Sequence, residues 1–180
     1  NQTGVNPHDS LDEARSAEII IGHVTEGLRL AKKYHLPAVI RDFIATHHGA
    51  GLVKYFYIQY ANKHGGEAID RAAFSYPGPN PQTREQAILM MCDSVEAASR
   101  SLKEYTEESL GKLVDSIIDA QLAEGYFKEC PITFRDIADA KRVLVSSLKT
   151  VYHTRISYPE RNEVKAGEQP RAGRFGAGLH

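Results

Sequence analysis

Long apolar runs are missing from this chain. The longest uninterrupted one, Ala87 to Cys92, has six members, far short of the about 20 that a helix needs to span a bilayer. An excess of charge of either sign is missing too. The chain has 22 basic and 23 acidic residues, net charge −1, which excludes a surface built to coat DNA, RNA or an anionic membrane. Cysteine is scarce: Cys92 and Cys130 lie far apart and cannot make a disulfide framework, so a reducing, cytosolic setting is expected. No internal repeat and no alternating β-period is visible. The chain opens on Asn1 without a charged-then-apolar leader, so it reads as a segment of a longer protein with no signal peptide in view.

What is present is enough apolar residue for one buried core: 180 residues with 42% hydrophobic content suit one domain. Asn6-Pro7 marks a turn, and Ser10 with Asp12 and Glu13 supplies a cap and first-turn acids for a helix toward Tyr34. Ile20, Val24, Gly27, Leu28 and Ala31 form its apolar stripe, with His23 inside it. Pro37 opens a second helix through Val39, Ile40, Phe43 and Ile44, stopped after His47-His48 by Gly49 and Gly51. A third, from Leu52 to Tyr60, is aromatic all round and ends at His64-Gly65. The Pro-rich stretch from Ala68 to Pro81 is expected to be a loop. Thr83 restarts helix, and two more follow, from Thr106 to about Glu124 and from Thr133 to about Tyr152. From Tyr158 onward the composition is too polar to bury a core, which predicts a disordered tail. The expected architecture is an all-α bundle of six to seven helices over 1–157, with a tail over 158–180.

Eight histidines carry the chemical argument. A carboxylate in an apolar helix interior is costly unless neutralised, and Asp93 sits in such a run. The loosened end of the second helix can aim both His47 and His48 at one centre, and His23 on the preceding helix is the natural third. Imidazole and carboxylate together suit Zn, Fe, Mn, Co or Ni, and such an ion activates water and clamps phosphoryl oxygens. Spacing alone leaves a second reading open, in which His23 is a core histidine and Asp93 pairs with Arg41, Arg84 or Arg100. His35, His64, His153 and His180 lie by loops or in the tail and are expected to be solvated.

At these residues the sequence resembles the HD domain of the PgpH-type seven-transmembrane HD family. The likeness runs over about residues 1 to 160, through "NPHD" at Asn6 to Asp9 and "SAEIIIGHVTEGLRLAKKYHLP" from Ser16 to Pro37. It continues through "THHGAGLVKYFY" from Thr46 to Tyr57, "YPGPNPQTREQAILMMCDSVEAASRSL" from Tyr76 to Leu102, and "YHTRISYPE" from Tyr152 to Glu160. The resemblance implies an HD-superfamily fold and a metal-dependent phosphodiesterase that opens cyclic di-AMP to the linear dinucleotide pApA with a metal-activated hydroxide. It implies two divalent transition metal ions, Fe or Mn, with His23, His47 and His48 on one and Asp93 on the other.

The family's name-giving His-Asp doublet and an earlier histidine belong upstream of the "NPHD" element, so the chain is expected to begin after them and to hold half of the centre. His8-Asp9 is read as a helix-entry turn in which Asp9 or Ser10 is the cap. The resemblance also implies a place on the cytoplasmic face of the bacterial membrane, with membrane attachment only through the part before residue 1. Lys54 and Arg100 are candidates for phosphate contact, and Tyr55 or Tyr57 for base stacking; packing of a buried helix is the other reading of the tyrosines, and a solvated charge that of Lys54. Two alternative functions stand beside the first: a non-catalytic ligand-binding or dimerisation module, and a general HD-superfamily nucleotide phosphohydrolase. Oligomeric state is open, a homodimer included.

Overall fold

The computed structural model describes residues 11–65 and 69–153. Among them are six α-helices: α1 Glu13–Lys33, α2 Ala38–Thr46, α3 Lys54–Lys63, α4 Arg84–Ser99, α5 Glu107–Ala123 and α6 Phe134–His153, with one 3₁₀ turn at Arg71–Phe74. The described residues contain no strand beyond a single antiparallel bridge between Leu52 and Ser75. The expected tail, and the turn around His8-Asp9, lie outside the described residues.

The helix starts follow local chemistry. Asp12 caps α1, its carboxylate accepting the Arg15 N–H, so Asp12 is the cap itself rather than a first-turn acid behind Ser10. Thr83 caps α4, and Thr106 caps α5 in a reciprocal box with Ser109. Thr133 and Asp136 exchange the same pair of bonds at the start of α6. The end of α1 is a Schellman turn: Leu36 N–H reaches Ala31 O at 2.9 Å and His35 N–H reaches Lys32 O at 3.2 Å. That motif puts its C′ residue in the left-handed region, and His35 occupies it at φ 54.

The main core lies where α4, α5 and α6 meet. Met91, Val95, Leu110, Val114 and Ile118 are fully shielded there, with Phe127, Ile137 and Leu148 closing the cluster. Burial of these side chains, each contributing about 1.5–3 kcal/mol, is the platform on which α4 is fixed. The N-terminal helices form a second layer. α1 and α2 make a tight hairpin in which Gly27 lies so close to Ile44 that a Cβ would sit 3.2 Å from its Cγ2.

α3 departs from the sequence reading. It starts at Lys54, and none of its residues is fully buried. Leu52 leaves the helix to pair with Ser75. Tyr57 and Tyr60 lean on Phe74 of the 3₁₀ turn, and Tyr55 is 66% exposed. An aromatic-rich helix can thus lie at the surface, because tyrosine packs with its ring and keeps its hydroxyl wet. No described helix is long and apolar enough to cross a membrane.

Candidate metal centre

Antiparallel pairing of α1 and α2 sets the register of the site. With Gly27 opposite Ile44, the residue one turn earlier on α1, His23, falls beside the residue one turn later on α2, His47. Their Nε2 atoms are 3.1 Å apart. His48 follows at the point where the helix ends, since Gly49 turns the backbone to φ 54. The ring-nitrogen ligand atoms offered by the three histidines all lie within 4.8 Å of one another.

His23 is an exposed residue, not a member of the buried face. On α1 the buried positions are Glu13, Ser16, Ala17, Val24 and Ala31, and the helical step of about 100° per residue sets His23 on the flank of that stripe. His47 and His48 are half-buried.

Two of the three rings are anchored in the same way. The Nδ1 of His47 lies 2.8 Å from Ile44 O, and that of His23 contacts Ile20 O. A carbonyl oxygen can only accept, so each Nδ1 carries a proton, and in the neutral ring each Nε2 presents a lone pair. Two lone pairs facing each other at 3.1 Å repel unless a cation stands against both. Two nitrogens on one ion at about 2.1 Å would be about 3 Å apart when adjacent, so the donor set and spacing fit a divalent transition metal. The helix carbonyls then act as the outer partners that fix tautomer and orientation.

Among the described residues His48 has no such carbonyl partner. Its ring stacks on Tyr76 at 4.2 Å and 19° and meets His47 at 4.1 Å with a 39° tilt. Its Nδ1 is 3.4 Å from Asp93 Oδ2. Burial, then the neighbouring His47 and His23, push the His48 pKa down to about 3, so the imidazole is neutral and able to ligate. Burial raises the pKa of the Asp93 carboxyl, partly opposed by His47.

Asp93 is therefore not locked in a salt bridge with arginine. Arg100 is bonded to Glu96 on its own helix, Arg84 approaches Asp136, and the contact that Asp93 makes is with His48. Asp93 borders the three-histidine cluster without joining it.

Sequence reasoning missed Tyr76. Besides stacking on His48, its ring meets His23 edge-on at 5.9 Å, and burial followed by the Asp93 charge pushes its phenol up to about 12. The only signal was its place directly before Pro77 within the Pro-rich stretch. That loop clasps the turn after His48: Val53 N–H reaches Phe74 O at 2.8 Å, Tyr76 N–H reaches Gly51 O at 2.8 Å and Gly78 N–H reaches Gly49 O at 3.1 Å. Asn80 Oδ1 accepts the Ala50 N–H at 2.9 Å.

Three of the four substrate candidates are engaged elsewhere, and Tyr55 is exposed. Lys54 pairs with Glu124 at 2.7 Å, and Glu124 also takes the Tyr126 hydroxyl at 2.6 Å. Tyr57 packs on Phe74, Tyr55 meets its neighbour Phe56 edge-on, and Arg100 holds Glu96.

A helical bundle that gathers imidazoles from two packed helices, with a carboxylate from a third beside them, has the layout of an HD-type domain. No family model matches the chain. It is similar to the cyclic-di-AMP phosphodiesterase PgpH of Bacillus subtilis, with 42% identity over 161 residues, 89% of this chain and 22% of that protein. It is also similar to the PgpH of Listeria monocytogenes, with 40% identity over 157 residues, 87% of this chain and 22% of that protein. Among solved structures, the HD domain of the L. monocytogenes phosphodiesterase PgpH superposes with TM-score 0.77 at 38% identity, covering 84% of this chain and 70% of that one. The same domain in complex with cyclic-di-AMP gives 0.79 at 38%, covering 83% and 69%. The chain belongs to the PgpH HD-domain family. It spans about a fifth of the length of the curated relatives it matches.

Proposed function

We propose that this domain is the catalytic part of a metal-dependent phosphodiesterase that opens cyclic di-AMP to the linear dinucleotide pApA on the cytoplasmic face of the bacterial membrane. The observation that carries the reading is the convergence of His23, His47 and His48, supported by relatives named as cyclic-di-AMP phosphodiesterases and by a neighbour solved with cyclic-di-AMP. His23, His47 and His48 would hold one divalent ion, Fe or Mn, and Asp93 a second. Bound there, such ions would lower the pKa of water and neutralise phosphoryl oxygens.

The chain's own residues do the preparatory work. Ile20 and Ile44 carbonyls hold the His23 and His47 tautomers, and Tyr76 shields one face of His48 from water. Asp93, with its carboxyl raised by burial, would ionise more readily against a cation than against bulk water. In substrate binding, Lys54 and Arg100 would exchange Glu124 and Glu96 for phosphate oxygens. Tyr55, already exposed, or Tyr57 would take a base on its ring.

The test is chromatography of cyclic di-AMP incubated with the protein carrying this domain and Mn or Fe. Formation of pApA, abolished by joint His47→Ala and His48→Ala replacement, is the expected result. Binding without product would assign the domain to a non-catalytic module, and phosphate release from mononucleotides to a general nucleotide phosphohydrolase.

A further inference from the structure

The three histidines are not held alike, and the difference singles out one residue. His23 and His47 are each tied by Nδ1 to a carbonyl of their own helix. His48 lies past the end of α2, where among the described residues its ring makes no hydrogen bond to a carbonyl, and its Nδ1 has a 3.4 Å approach to Asp93. A contact of that length orients a ring weakly. What flanks the imidazole instead is the near-parallel face of Tyr76 at 4.2 Å and 19°, with His47 on the tilted side at 4.1 Å.

Tyr76 is itself fixed by backbone. Its N–H bonds Gly51 O at 2.8 Å, and the Gly78–Gly49 and Asn80–Ala50 bonds flank it on the same two segments. The aromatic plate is thus attached to the very turn that carries His48. If the turn shifts, plate and imidazole shift together, so their stacking survives motion of the loop.

Resting on the metal-centre reading above, we infer that Tyr76 is a positioning residue for metal binding, whose ring face holds His48 in the orientation that ligates. The ring, not the hydroxyl, carries this role. Outer partners of a metal-ligating histidine affect affinity by about 10–100-fold, and here a stacked ring takes the part that a carbonyl plays for His23 and His47.

The experiment measures Co²⁺ affinity and the visible d–d absorption of the bound ion in the protein carrying this domain, for wild type, Tyr76→Phe, Tyr76→His and Tyr76→Leu. Phe and His keep a flat ring on the same backbone and are expected to stay within about 3-fold of wild type with an unchanged spectrum. Leu is expected to lose about 10-fold or more in affinity and to alter the spectrum. Wild-type affinity and spectrum in the Leu variant would overturn the inference, and so would losses in the Phe variant equal to those in Leu. If Leu fails to fold, judged by melting of the chelated protein, the Phe and His variants decide alone: weakened binding in both overturns the inference, and retained binding in both supports it. Failure of the wild type to bind Co²⁺ at all would sink the metal-centre reading instead, so the two failures are distinguishable.

Discussion

The Nε2 atoms of His23 and His47 face each other at 3.1 Å across the α1–α2 hairpin, each on a ring whose Nδ1 is tied back to its own helix. Neither ring can turn its proton toward the other without giving up a bond to a carbonyl. The pair is built to receive a cation, and several consequences can be measured.

Gly49 follows His48 at φ 54, and a Cβ there would lie 2.6 Å from Asn80 Oδ1. Gly49→Ala is expected to destabilise the protein by about 1–3 kcal/mol, from left-handed strain and loss of the clasp. Adding Asn80→Ala relieves the clash but not the backbone strain, so the double variant should recover only part of the loss. Urea denaturation checks both.

His35 closes the α1 Schellman turn at φ 54, a conformation that costs a non-glycine residue about 1–2 kcal/mol. His35→Gly is expected to stabilise the fold by about 0.5–1 kcal/mol, after the greater unfolded-state freedom of glycine is subtracted. A higher melting temperature with unchanged metal content is the expected readout.

Ile118 is fully shielded in the α4–α5–α6 core. Ile118→Ala should cost about 2–5 kcal/mol, while its effect on metal affinity, measured where the protein is folded, should be small. Stability and site occupancy would then respond to different residues.

In chelated protein, burial with His47 and His23 lowers the His48 pKa from 6.5 to about 3. Between those values the unfolded chain binds a proton that the folded chain refuses, so stability falls as pH falls through this window. Asp93, whose pKa is raised by burial, acts in the opposite sense near the acid end, so the slope is clearest just below the upper limit. From about pH 7 to about pH 5.5 the loss should be about 1 kcal/mol. His48→Asn should flatten it in urea midpoints at the two pH values.

Much of this was legible in the chain. The starts of α4, α5 and α6 are local signals, and local bonds formed at Thr83, Thr106 and Thr133 as expected, whereas the cap of α1 fell on Asp12 rather than Ser10. His23, His47 and His48 could be grouped because a short hairpin brings α1 back along α2. What was not legible depended on contacts distant in sequence. The surface position of α3 follows from Phe74, which offers its aromatics one side only. The preference of Asp93 for His48 over an arginine, and the stacking of Tyr76, follow from a loop whose course is set by backbone bonds to residues 49–53. A Pro-rich composition announces a loop and says nothing of where it docks.

The central claim is that His23, His47 and His48 form one metal site. Elemental analysis of the protein purified without chelator, beside the joint His47→Ala and His48→Ala variant, tests it most directly. The account predicts a bound divalent transition metal in the wild type and its loss in a variant that still folds. Equal metal in both proteins, or a folded wild type that binds none when Mn or Fe is supplied, would contradict it.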